Sequence, residues 1–572
     1  MSYIDWIILI ATLAGVIAYG LYKSRTTRDL DGYFLSNRTM PWWLVLLSVM
    51  GTQASAVTFL SLPGQAYADG MRFVQFYFGL PLAMIVLCIT FVPIFHRLKI
   101  YTAYEFLEKR FDSKTRTLTS FFFLLQRALS TGISIYAPAI ILSSILDWNI
   151  YWTNLFMGGL VILYTVSGGA KAVAHTQMFQ MIVVFIGMFL AGYTMVNMIP
   201  DGLGFSGAID LGDKLGKMNV ITTGITEEGF NWGDRYNLIS GIIAGLFFQL
   251  SYFGTDQSQV GRYLTASSIK ESRMGLLMNG IVKVPMQFMI LLLGVLLFSF
   301  YMFIDHPASF NVKQLNVLTN SPYKPVADQL QSKLDSVQTS KHVVVRQWVN
   351  DRENEKLIRD IKSHVTEEKV LQDSIKKLVK KVDPLAETSD TNYVFLKFVI
   401  DYLPTGLVGL LIAVIFLAGW GSIAAALNSL SSTTVVDIHK KFIEKNCTPA
   451  QDYRLSRLYT LGWGIFCVIT AMFATRMGSL IEAVNILGSL FYGVILGIFL
   501  VAFYMKKIRG TAVFIAAIIS EMLIISLYTL NELKYLPLGF MWLVVVGSLS
   551  VMLLSATIQL FIKKPDPKAR LN

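Results

Sequence analysis

Residues 51–64 read Gly51-Thr-Gln-Ala-Ser-Ala-Val-Thr-Phe-Leu-Ser-Leu-Pro63-Gly64, a run of small, hydroxyl-bearing and helix-breaking residues inside an apolar stretch that extends from about 41 to 68. A helix in lipid must satisfy its own backbone, so a break at that depth is tolerated only where protein or a water-filled cavity surrounds it. The device recurs at Ser251-Tyr-Phe-Gly-Thr-Asp-Gln-Ser-Gln-Val-Gly261. The breaks fall in the second and seventh apolar stretches, the pattern of two five-helix repeats in inverted topology with a midplane site lined by the discontinuous helices. A third polar cluster occupies the ninth stretch, from Ala418 to Thr434. Ser and Thr also serve as glue between membrane helices, so any single hydroxyl there has a structural explanation of equal weight. The three clusters together supply what a hard monovalent cation requires, backbone carbonyls of a broken helix opposed by hydroxyls.

Working outward, thirteen apolar stretches are long enough to cross a bilayer: 4–22, 41–68, 71–97, 116–145, 149–167, 171–198, 237–262, 273–303, 394–438, 454–475, 478–505, 510–530 and 538–562. Several exceed 25 residues, which predicts tilt or breakage. With 54% hydrophobic and 15% charged residues among 572, little remains for a soluble core, and the chain reads as an all-α, polytopic membrane protein. The formal charge of +12 would suggest nucleic acid if it clustered on one face. Instead 26 Lys and Arg lie in segments 23–40, 96–116, 168–172, 262–274, 439–457, 506–509 and 563–572, and six lie in the intervening short loops 68–72, 146–150, 199–236, 476–478 and 531–537. This positive-inside distribution predicts an odd number of spans in the cell (inner) membrane, with the N-terminus outside and the C-terminus cytoplasmic. The basic charge is topological, and no nucleic-acid partner follows from it.

Other chemistries are disfavoured. Cys88, Cys447 and Cys467 are too few and scattered for a disulfide framework. The first apolar stretch lacks a basic n-region and a cleavage site, so it stays as a span. The six histidines show no metal-ligand spacing, and no phosphate-cradling GxxxxGK[ST] occurs, so no ATP-driven pump and no enzyme is expected. The one long hydrophilic region, 304–392, carries 14 Lys/Arg and 13 Asp/Glu, with apolar positions from Leu357 to Val379 at helical spacing. It predicts a pair of amphipathic helices on the external face. Its balanced charge favours a lid-like insertion over a partner-binding module, and no obligate protein partner is expected.

The order and spacing of Gly32-Tyr-Phe-Leu-Ser-Asn-Arg-Thr-Met-Pro-Trp-Trp43, Thr102-Ala-Tyr-Glu-Phe-Leu-Glu-Lys-Arg-Phe111, Tyr164-Thr-Val-Ser-Gly-Gly169, Gly254-Thr-Asp-Gln257 with Arg262-Tyr-Leu264, and Leu427-Asn-Ser429 resemble the sodium:solute symporter family. That family includes the sodium/glucose, proline, pantothenate, iodide and monocarboxylate transporters, and only the insertion lies outside its usual pattern. The resemblance implies a LeuT-type fold of about 13 spans: one extra N-terminal helix and loop (1–40), a first five-helix repeat (41–198), an external loop (199–236), a second repeat (237–505) interrupted at 304–392, and two C-terminal helices with a short basic tail (506–572). It also implies a co-transported sodium ion held by the carbonyls of Gly51, Ala54 and Ala418 and the Ser422 hydroxyl. Where many relatives have two adjacent serines this chain has Gly421-Ser422, so the site would be weaker or completed by the Gly421 carbonyl or water. Gln177, Ala424 and Ala425 stand where some relatives hold a second sodium, which implies that this second site is absent.

Sugar-transporting members place an acidic residue where this chain has Tyr77, and Ser55-Ala-Val-Thr58 with Thr131-Gly-Ile-Ser-Ile-Tyr-Ala-Pro-Ala139 resemble the iodide, monocarboxylate and multivitamin branch, whose substrates are anions. Two cations agree. Arg127 and Lys283 each lie about 15 Å into a span at 1.5 Å per residue, where an ionised group costs about 3 kcal/mol and calls for a partner or a wet cavity. The alternative for either is a fixed pairing with Asp256 or Glu482. The expected pocket comprises Ser55, Thr58, Tyr77, Arg127, Gln249, Tyr252 and Lys283, and the expected activity is sodium-coupled import of a small organic anion, a monocarboxylate or an acidic sugar such as sialic acid. A neutral sugar or polyol symporter is the alternative, and a substrate sensor or an ion channel ranks below it.

Overall fold

The computed structural model describes residues 1–24, 30–199, 203–384, 386–445, 447–474 and 478–562. Arg25 and Arg28 of the basic loop 23–40, Arg476 of an intervening short loop, and the basic tail 563–572 lie outside them. Helices dominate: α1 (Tyr3–Ser24), α2 (Trp42–Gln53), α3 (Ala56–Asp69), α4 (Met71–Leu98), α5 (Ser113–Leu146), α6 (Ile150–Met198), α7 (Gly245–Thr255), α8 (Gln257–Tyr263), α9 (Ile269–Phe300), α10 (Lys324–Asn350), α11 (Glu355–Val382), α12 (Val394–Tyr402), α13 (Leu407–Thr433), α14 (Pro449–Ala471), α15 (Leu480–Tyr504), α16 (Gly510–Glu532) and α17 (Phe540–Phe561). A two-stranded antiparallel ribbon pairs Ile225–Thr226 with Gly229–Phe230.

Among the described residues, eight helices are individually long and apolar enough to span a membrane, and α2 with α3, bent by 63°, makes a ninth. Tyr3–Tyr19 and Ile150–Val166 are shorter apolar helices. Of the remaining apolar stretches, 237–262 is interrupted at Asp256, and α14 carries Asp452, Arg454 and Arg457 in its first turns. The stretches 149–167 and 171–198 share α6, a helical run of 49 residues. Straight, it would measure about 73 Å, more than twice a bilayer core of about 30 Å. Yet Tyr164 Oη and Thr176 Oγ1 lie 2.6 Å apart, whereas straight helix would separate their Cα atoms by about 18 Å. The run is therefore not one straight rod, and the described residues on either side form two apolar helices, Ile150–Val166 and Val173–Met198.

The outer surface of the bundle is apolar, and the interior is an apolar core with polar groups set into it. Large apolar side chains such as Leu163, Phe189 and Leu560 face outward, whereas Gln177, Gln249, Lys283 and Gln287 are fully buried. Close helix contacts rest on glycine. A Cβ on Gly64 would meet the Thr391 carbonyl oxygen at 2.0 Å and one on Gly294 would meet the Pro63 carbonyl oxygen at 2.1 Å, so α3 is gripped on both sides. The α13 N-terminus is capped from α1: Asp5 Oδ1 accepts from the amides of Gly406 at 2.6 Å and Gly409 at 3.2 Å.

The insertion is a helical hairpin of α10 and α11, closed over buried Leu334, Val345, Trp348, Ile361, Ile375 and Val379. Inside it, Glu368 accepts from Lys341 Nζ at 2.8 Å and His306 Nε2 at 2.9 Å. Burial alone would raise the Glu368 carboxyl, but the His306 hydrogen bond and the Lys341 charge hold it down at about 2.

Candidate sodium and substrate site

α2 ends at Gln53, Ala54 and Ser55 leave the helical conformation (ψ 86° and 173°), and α3 restarts at Ala56. In an unbroken helix the amides of Ser55 and Thr58 would bond the carbonyls of Gly51 and Ala54. Here they donate instead to Gln53 O at 3.1 Å and Ser55 O at 3.0 Å. Both carbonyls are thereby released at the point where the sequence places a cation. α13 lies against this break, because a Cβ on Gly419 would sit 3.1 Å from Ala56 Cβ. On α13 the Ser422 hydroxyl donates to Gly419 O at 3.0 Å, which leaves its lone pairs free to accept or to ligate.

α6 packs against both elements. A Cβ on Gly51 would come 2.9 Å from Gln177 Cβ. The Gln177 amide is fully engaged: its oxygen accepts from Ser48 Oγ at 2.8 Å, and its nitrogen donates to Thr52 Oγ1 and to Gly421 O, both at 3.1 Å. The Gly421 carbonyl, expected as a substitute ligand, is thus already an acceptor. Ala424 and Ala425 are buried and bring no side-chain oxygen.

The expected substrate residues divide into two groups. Arg127 Nη1 lies 3.6 Å from Asp256 Oδ2, the buried carboxylate at the α7–α8 break. Asp256 also accepts from Tyr492 Oη at 2.8 Å, Ser258 N at 2.8 Å and Ser258 Oγ at 2.6 Å. Of the two carboxylates considered for Arg127, Asp256 is the one beside it, whereas Glu482 pairs with Arg235 at 2.6 Å. Tyr252 lies beside Arg127, accepts from Gln259 Nε2 at 2.7 Å and packs 5.9 Å from the Tyr492 ring, while Tyr77 lies beside Tyr252.

In the second group, Lys283 Nζ and both amide atoms of Gln249 are buried without a hydrogen-bond partner among the described residues. So are the amide atoms of Asn279 and Gln287, which the sequence reading did not single out. Positions 279, 283 and 287 recur every four residues and share one face of α9, and Gln287 lies beside Tyr77. That spacing of polar residues in an apolar span was the available signal. A buried polar group without a partner costs about 1–3 kcal/mol, so this stripe marks a place for water or a polar ligand. Thr58 is buried in the first turn of α3, and Ser55 is partly exposed at its N-cap.

Beneath the insertion, a cavity of about 430 Å³ opens at the end of α3 between Gly64, Tyr67, Lys217, Lys369, Lys377 and Lys380. Lys217 Nζ donates to Ala68 O at 2.8 Å, and burial pulls this lysine down to about 8. A larger cavity of about 650 Å³ between α6 and α9 is lined by apolar groups such as Phe189 and Met289 and offers nothing to an ion. His439, Glu444 and Cys447 gather within 4.8 Å, which their spacing did not suggest, but His439 Nδ1 already pairs with Tyr459 Oη at 2.8 Å.

Comparison with known proteins agrees with this architecture. The sodium:solute symporter family matches residues 33–328 and 382–520, leaving out most of the α10–α11 hairpin. Similar proteins include the sodium/sialic acid symporter NanT of Aliivibrio fischeri, 24% identical over 96% of this chain and 92% of that protein. The sodium-dependent multivitamin transporter of Oryctolagus cuniculus is 25% identical over 87% and 66% of the two chains, and the sodium/glucose cotransporter of Vibrio parahaemolyticus is 24% identical over 94% and 86%. A solved, substrate-bound, outward-open Na+-coupled sialic acid symporter superimposes with a TM-score of 0.75 at 22% identity, covering 98% of both chains. With its broken α2–α3 helix and LeuT-type all-α architecture, the chain belongs to the sodium:solute symporter family and is a multi-pass, sodium-coupled transporter, not an enzyme.

Proposed function

We propose that this symporter imports a small organic anion, a monocarboxylate or an acidic sugar of the sialic acid type, from the outer face of the cell (inner) membrane. The observation that carries the reading is Lys283, a fully buried cation without a partner on a polar face of α9. A carboxylate there would satisfy the ammonium and the neighbouring amides together. Arg127 would act from the edge of the same site, exchanging Asp256 for substrate only if the pair opens. The sialic acid symporters among the similar proteins support an acidic sugar. The released carbonyls of Gly51 and Ala54, with Ala418 O and Ser422 Oγ, would hold the sodium ion.

The test is a thermal-shift panel of carboxylates and neutral sugars on the purified transporter, with sodium or with choline. Stabilisation by one or more carboxylates that requires sodium supports the reading. Sodium-dependent stabilisation by neutral sugars alone would replace it with the polyol reading.

A further inference from the structure

Beyond α13 the helical run continues to Phe442, and its last turn closes on His439: the amides of Ile443 and Glu444 both donate to the His439 carbonyl, at 2.9 and 3.1 Å. The chain then turns back, with Cys447 Sγ donating to Glu444 O at 3.6 Å, before α14 starts at Pro449. A ring nitrogen of His439, a carboxylate oxygen of Glu444 and Cys447 Sγ are thereby gathered within 4.8 Å of one another. His439 is 8% exposed, and its Nε2 has no hydrogen-bond partner among the described residues. Its Nδ1 meets Tyr459 Oη on α14 at 2.8 Å. That bond orients the ring instead of blocking it. With Nδ1–H donating to the phenol, Nε2 presents a lone pair, and metal-ligating histidines are held through their second nitrogen in this way. The nearby lysines do not repel a cation strongly: Lys440 pairs with Asp452 at 2.7 Å, Lys441 pairs with Glu108, and Lys445 is exposed to water.

We propose that His439 Nε2, the Glu444 carboxylate and Cys447 Sγ form a zinc-type divalent metal site that fastens the connection between α13 and α14, with the fourth position left to water. Tetrahedral zinc, with bonds of about 2.0–2.3 Å, sets its ligands about 3.3–3.8 Å apart, so small movements of exposed Glu444 and partly exposed Cys447 close the set around His439. Imidazole and thiolate select such a borderline ion over sodium, magnesium or calcium, which take oxygen ligands. Binding converts the Cys447 thiol to a thiolate and releases its proton to water. Segment 439–457 is one of the basic segments expected on the cytoplasmic side, where reducing conditions keep a free cysteine available. The site shares no residue with the sodium and substrate positions, so it stands independently of the transported solute.

The test titrates the reduced, tag-free, full-length protein in detergent with Co2+, read by absorption, and then with Zn2+ in competition. The wild type should bind one ion per chain and show a thiolate-to-cobalt charge-transfer band that zinc removes. Cys447→Ser should abolish the band, although Cys88 and Cys467 remain. Tyr459→Phe frees the His439 ring without removing a ligand, so it should keep the band but weaken zinc binding about tenfold. His439→Gln and Glu444→Gln should each weaken it further. Because Glu444 and Cys447 lie at the surface, their variants carry the test if His439→Gln does not fold. Zinc should also raise the melting temperature of the wild type and not that of Cys447→Ser. A charge-transfer band that persists in Cys447→Ser, zinc affinity unchanged in Glu444→Gln, or only weak binding at several sites per chain that no variant alters would overturn the proposal.

Discussion

The Arg127–Asp256 pair offers a quantitative test, because its two roles predict opposite results. At 3.6 Å, opposite unit charges attract by about 5 kcal/mol at an effective dielectric of about 20. Removing one partner from a buried pair costs about 3–5 kcal/mol, chiefly because the other charge is stranded. Asp256 would keep its bonds from Tyr492 Oη, Ser258 N and Ser258 Oγ, so Arg127→Gln should fall at the lower end, about 3 kcal/mol. Neutralising the stranded carboxylate in Arg127→Gln with Asp256→Asn should bring the loss back to about 1 kcal/mol. The assay is thermal unfolding of the four proteins in detergent without substrate, combined with sodium-dependent carboxylate binding. An Arg127→Gln protein that melts like the wild type, or one that Asp256→Asn does not rescue, would refute the pairing argument. Weakened carboxylate binding in a fully stable Arg127→Gln would instead make this arginine the substrate's counter-ion.

Other outcomes follow from the same geometry. Gln177 is saturated by Ser48, Thr52 and Gly421, and positions 424 and 425 bring no oxygen, so one sodium should accompany each substrate; a monoanion should then enter without net current, and an inward substrate-induced current would contradict this. Burial pushes Glu387 up to about 7 from an ordinary 4.5. Its folded state binds the proton more tightly, so its contribution is full below about pH 4.5 and is lost as pH rises through about 7; Glu387→Gln should flatten that part of the melting profile, and an unaltered profile would exclude the group. Replacing Lys324–Val382 with a Gly/Ser linker should preserve sodium-dependent uptake but raise KM for an anion at low ionic strength, because Lys369, Lys377 and Lys380 leave the cavity above α3. Complete loss of transport in a correctly inserted protein would make the hairpin part of the mechanism.

The breaks at 51–64 and near Asp256 were legible because glycine, proline and hydroxyl residues are conspicuous within apolar stretches, and a membrane helix cannot hide an interrupted backbone. Lys283 stood out for its charge. Its neighbours Asn279 and Gln287 were visible only through their four-residue spacing, and their lack of partners is a property of the packed bundle. Which carboxylate Arg127 meets could be narrowed to two but not chosen, since 129 positions separate it from Asp256 and their proximity depends on how α5 lies against the second broken helix. The approach of Gln180 to Gly421 was not legible, because it joins α6 to α13, elements far apart in sequence that no local pattern brings together.

Sodium-driven import of an organic anion is measured by uptake of labelled sialic acid and a monocarboxylate panel into proteoliposomes under an inward sodium gradient. Accumulation of at least one carboxylate above equilibrium is expected, abolished when the gradient is collapsed and strongly reduced in Lys283→Gln. Accumulation of neutral sugars alone, or carboxylate uptake indifferent to the sodium gradient, would contradict it.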